Sequence, residues 1–156
     1  MATFGTFTSG QVLTAAELNS AGAWQAYTPT WTQSVAITKT VNWARYTQLG
    51  KWVQVSIKMT ASSAGTANNK ILVGLPVNAS ADNYLMGSAY FYRASPFDTG
   101  NPIFAIYDSA STVAFQTTVS QETAPSSSQM GLTSSVADFT VASGDIIQVN
   151  LTYEAS

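Results

Sequence analysis

The chain predicts an all-β fold, an antiparallel β-sandwich of jelly-roll type preceded by one short helix. Three observations carry that expectation. Apolar residues recur with period two in several segments, Gly, Pro, Asn and Ser clusters separate those segments, and no stretch after Gly22 shows helical periodicity. Roughly eight strands result, too closely spaced for crossover helices between them. The 156 residues suffice for one domain with a real core. The change of pattern divides them into an attachment segment, residues 1–22, and a β-sandwich domain, residues 23–156.

The helix is expected at residues 14–21. Thr14 and Glu17 are spaced as a capping box, and Leu13 and Leu18 as the hydrophobic staple around it. Asn19, Ser20 and Gly22 end it within two turns, so it is too short to stand alone in water and must dock on something. Phe7, Val12, Leu13 and Leu18 are the candidate anchoring residues.

The strands follow. Residues 51–60 alternate, with Val53, Val55, Ile57 and Met59 on one face and Gln54, Ser56 and Lys58 on the other. Residues 40–48 place Val41, Trp43 and Arg45 opposite Asn42, Ala44 and Tyr46, and Leu49-Gly50-Lys51 turns the two segments into a hairpin. Further strands are expected at 70–75, 85–93, 103–107 and 112–119. The last strand has Ile147, Val149, Leu151 and Tyr153 on one face and is launched by the turn Ser143-Gly144-Asp145. Residues 61–69, 78–83, 95–102 and 122–129 read as loops.

Composition narrows the function. Only 9% of residues are charged, and a quarter are Ser or Thr. Sheet proteins ordinarily guard exposed edges with charge, so a surface this poor in it suggests cover by copies of the chain or by a partner. A net charge of −2, with six basic residues scattered, argues against a nucleic-acid backbone as ligand. The first ten residues have no secretory-signal layout, and no run approaches the ~18 apolar residues of a membrane span; neither export by that route nor membrane insertion is expected.

Catalysis at neutral pH usually draws on His, Cys, a metal or a tuned carboxylate pair. The chain has no His and no Cys, and its eight acids are scattered, mostly at turns and strand ends. The expectation is a protein that is not an enzyme and uses neither cofactor nor metal.

The segment Phe7-Thr8-Ser9-Gly10-Gln11-Val12-Leu13-Thr14-Ala15-Ala16-Glu17-Leu18-Asn19, followed by Trp24 and by Tyr27-Thr28-Pro29-Thr30-Trp31, resembles the opening of tailed-bacteriophage minor tail and fibre-like virion proteins. Ala44-Arg45-Tyr46-Thr47-Gln48-Leu49-Gly50-Lys51, Leu75-Pro76-Val77 and Ser143-Gly144-Asp145 extend the likeness. The resemblance implies a structural protein located in the virion, a homo-oligomer, a trimer above all, attached to tail or capsid proteins. No long fibre shaft is present, which sets the chain apart from the longer members.

Two functions then compete. In the first, the protein adheres to a host surface glycan through an aromatic–polar surface. Tyr90 and Tyr92 share a strand face with Met86, opposite Leu85, Gly87, Ala89 and Phe91; if Phe91 faces the core, Tyr84, Tyr90, Tyr92, Arg93 and Asp98 are the candidate glycan-binding residues. The same tyrosines would equally suit a core or a subunit interface. In the second, the chain is a decoration or cementing protein that binds the particle and no receptor.

Overall fold

A computed structural model describes residues 10, 12, 14, 22–94, 98–116, 132–133, 136–137 and 140–156. Among these residues every regular element is a strand: β1 (Gln25–Ala26), β2 (Trp31–Gln33), β3 (Val35–Ala36), β4 (Lys39–Leu49), β5 (Trp52–Ala61), β6 (Asn69–Lys70), β7 (Leu72–Gly74), β8 (Leu85–Arg93), β9 (Thr99–Ser109), β10 (Thr112–Gln116), β11 (Leu132–Thr133), β12 (Val136–Ala137) and β13 (Ile146–Glu154). Ten form one antiparallel sheet in the order β1-β4-β5-β13-β8-β9-β10-β7-β2-β3, and β11-β12-β6 form a small second one. Of the expected helix at 14–21 only Thr14 is described, exposed and in no regular element; residues 15–21 lie outside the described residues, as do Phe7, Leu13 and Leu18. Val12 is exposed.

The strands form where the alternation is cleanest. Val53, Val55, Ile57 and Met59 of β5 and Ile147, Val149, Leu151 and Tyr153 of β13 are all buried on one face, and the two strands pair from Trp52↔Glu154 to Thr60↔Ile146. The β4–β5 hairpin is as expected: Leu49 pairs with Trp52, and Gly50 takes a φ of +58°, the positive angle that lets a two-residue turn follow strand twist.

Two bulges change which side chains face inward. The β4–β5 register shifts between Val41 and Trp43, so Val41 lies opposite Met59 and packs on the core while Trp43 and Arg45 face out. These three residues therefore do not share a face, because the extra residue, Asn42, breaks the period. A second shift between Leu85 and Gly87 buries Met86 with Ala89 and Phe91 and leaves Leu85 exposed, the reverse of strict alternation. Gly87, with a φ of +156°, suits this site because a Cβ there would strike the Asn150 carbonyl oxygen of β13.

Pro102, expected in a loop, lies within β9 opposite Tyr90. Among the described residues the β9–β10 pairing runs from Phe104 to Ser109. Residues 117–119, expected to continue the strand at 112, lie outside the described residues.

The large sheet is a single hydrogen-bonded surface curled into a half-barrel, rather than two separate sheets. Only Ile37 and Thr38 separate β3, at one edge, from β4, next to the other edge. Flat, those strands would stand eight spacings apart, roughly 38 Å, whereas Ala36 to Lys39 spans at most roughly 10 Å. Curling is the only way both can hold. The seam is tied by Ile37 N–H to the Trp31 carbonyl (2.8 Å), Ser62 N–H to the Thr38 carbonyl (2.7 Å) and Thr66 N–H to the Gln33 carbonyl (3.1 Å). Inside the curl, Trp31 meets Phe91 edge to face, ring centroids 6.4 Å apart.

Asp145 is fully buried at the turn before β13. One carboxylate oxygen accepts from Ala94 N–H (3.0 Å) and the other from Ala142 N–H (2.9 Å), while its own carbonyl accepts from Ala61 N–H (2.8 Å). It fastens the ends of three segments. Asp145→Ala orphans two backbone donors and is expected to lower stability by about 2–4 kcal/mol; urea denaturation would show this as an earlier midpoint, and an unchanged midpoint would refute the anchoring role.

Burial pushes the phenols of Tyr27 and Tyr153 above their ordinary value of 10.0. The folded protein thus keeps protons that the unfolded chain gives up, so stability is intact below pH 10.0 and declines as pH rises above it. An alkaline titration should show these two phenolates appearing only together with loss of the β circular-dichroism signal. Their ionisation while the sheet remains intact would contradict their burial.

Candidate functional site

The outward face of the β4-β5-β13-β8-β9 region is the candidate site. Cross-strand register sets its layout. One row runs Trp43, Lys58, Gln148, Tyr90, Pro102; the next runs Arg45, Ser56, Asn150, Ser88, Phe104. All ten are exposed or half-buried, while the residues between them along each strand fill the core. From β4 to β8 is three strand spacings, about 14 Å.

The floor of this surface is made of amides and hydroxyls, and aromatic rings stand at both sides. On the β4 side the Lys58 ammonium sits over the Trp43 ring (5.2 Å to the centroid) and the Arg45 guanidinium over Trp24 (5.0 Å). Each contact contributes about 0.5–1 kcal/mol at such exposure and, more importantly, holds a flexible cation in one place. The Trp43 indole N–H also donates to Ser56 Oγ at 3.3 Å, which fixes the ring's orientation.

On the β8 side Tyr90 is 47% exposed, and its ring lies where a Cβ at position 100 would stand, so Gly100 gives it a bed. Tyr92, opposite Gly100, donates its phenol proton to Asp98. That hydrogen bond holds the Tyr92 phenol above its ordinary value, with burial adding to the shift.

Of the residues expected from sequence, Tyr90, Tyr92 and Asp98 are brought together on the outward surface. Arg93 is half-buried and falls in register on the same side of β8 as Phe91. Tyr84 is 74% exposed but precedes the far end of β8, where its carbonyl accepts from Tyr107 N–H. Eight residues of strand, roughly 26 Å, part it from Tyr92. It belongs to another region, together with exposed Leu85.

Trp24, Trp43, Arg45, Lys58, Gln148 and Asn150 were not among the expected site residues. Alternation alone places Lys58, Gln148 and Asn150 outward. Their meeting with Tyr90 depends on β13 lying between β5 and β8, which no local pattern announces. Among the described residues no group of three or more His, Cys, Asp or Glu could hold a metal ion. No protein-family model, curated protein or solved structure matches the chain.

Proposed function

We propose that the chain is a structural virion protein of a tailed bacteriophage, tail- or fibre-associated, which binds host surface glycan with the outward face of its sheet. The observation that carries the reading is that face itself. It has an amide and hydroxyl floor suited to sugar hydroxyls, with exposed Trp43 and Tyr90 for stacking on sugar rings. The likeness of residues 7–31 to fibre-like virion proteins supports the setting, and the low charge content supports an assembled state, a homotrimer joined to other virion proteins. In this reading the protein is not an enzyme, and the curled sheet corresponds to a jelly-roll-like sandwich whose layers are the two halves of the curl.

Antibody against the purified protein, applied as immunogold to particles released from cells that carry the gene, is expected to decorate tails. The same protein should compete with those particles for adsorption to host cells, and Tyr90→Ala should compete several-fold less well. Gold on the capsid with no competition would replace this reading by that of a decoration protein, and unlabelled particles would overturn the virion assignment.

A further inference from the structure

We propose that the outward face takes a carboxylate-bearing polysaccharide, laid across the strands between Trp43 and Tyr90 with its acid groups met by Arg45 and Lys58. The inference rests on reading this face as glycan-binding and adds the charge class of the glycan. Three observations carry it.

The first is local charge. The protein as a whole is acidic, at −2, with only six Lys and Arg. Two of those six stand on this face, and the two central rows contain no carboxylate. Among the described residues the ion pairs Lys51–Glu154 (3.8 Å) and Lys70–Asp108 (2.8 Å) use other lysines. Among the described residues, no carboxylate in these two rows stands to neutralise Arg45 and Lys58, so their positive charge faces a ligand. Among the described residues, Asp98 beside Tyr92, Glu154 beside Trp52 and Asp108 on Lys70 lie outside these rows.

The second is geometry. Arg45 is opposite Ser56, and Lys58 is two residues further along β5, so the two cations are diagonal neighbours, roughly 7 Å apart at their bases. Each is steadied on an indole ring, Arg45 on Trp24 and Lys58 on Trp43, and so loses less freedom when an anion docks. A guanidinium held this way can grip a carboxylate through two parallel N–H donors.

The third is how little charge there is. Two cations across about 14 Å of platform can match one or two acid groups on a short oligosaccharide. A heavily sulfated chain or a nucleic acid would call for a denser basic cluster. The uncharged remainder, Ser56, Gln148, Asn150 and Ser88, matches hydroxyls along the rest of a sugar chain.

The test is affinity electrophoresis of the full chain in gels containing polygalacturonate, dextran or heparin, at low and at physiological salt. Polygalacturonate is expected to retard the protein, dextran to leave it unretarded, and heparin to retard it less than polygalacturonate. Arg45→Gln combined with Lys58→Gln should weaken retention about tenfold, with the circular-dichroism spectrum unchanged because both positions are on the surface. Tyr90→Ala should weaken it while leaving the charges in place. Equal retention by dextran that survives the double substitution would overturn the acidic-ligand inference and leave the glycan reading standing. Stronger retention by heparin would overturn it as mere polyanion capture. No retention by any of the three would overturn both.

Discussion

The two-residue link between β3 and β4 is the constraint on which the rest of the structure depends. It joins strands that sit at opposite sides of a ten-stranded sheet, and it does so with Ile37 and Thr38 alone. A flat sheet cannot satisfy it, so the sheet must curl, and curling gives the two faces different fates. The inner face closes on Trp31, Phe91, Phe115 and the β-branched and aliphatic residues of β5 and β13. The outer face is left to water or to a partner. Native right-handed twist makes such curling cheap, and the bulges at Asn42 and Gly87 bend β4 and β8 further.

The outer face inherits its character from that closure. Where the inner residues of β5 and β13 are uniformly apolar, the outer ones along the middle of the strands are Gln54, Ser56, Lys58, Gln148, Asn150 and Thr152, with Trp52 and Ile146 only at strand ends. Large rings on an otherwise polar outer face are therefore out of pattern. Trp43 and Tyr90 add little to the core from there, and each is held in place by a neighbour: Lys58 and Ser56 for Trp43, the bare backbone of Gly100 for Tyr90. A ring kept exposed and oriented suits recognition, since little freedom remains to be lost on binding.

Much of the β architecture was legible in the sequence because alternation is a local signal. The faces of β5 and β13, the Gly50 turn and the Ser143-Gly144-Asp145 turn all followed from neighbours in the chain. What was not legible is non-local. The C-terminal strand lies in the middle of the sheet, between β5 and β8, and only that placement puts Gln148 beside both Lys58 and Tyr90. The bulges were hidden for a related reason: an inserted residue shifts the period by one without changing composition, so Val41 and Met86 were assigned to the wrong side. Tyr84 was grouped with Tyr90 by closeness in sequence, although an extended strand carries nearby residues far apart.

The central claim is that recognition happens on the two outward rows from β4 to β9. Backbone amide shifts of the isotope-labelled protein, followed during addition of oligogalacturonate, test this most directly. The account predicts that the largest changes cluster at Trp43, Arg45, Ser56, Lys58, Gln148, Asn150 and Tyr90, with the buried face unmoved. Changes confined to the opposite end of the strands, around Leu49, Trp52, Tyr84 and Leu85, would contradict it.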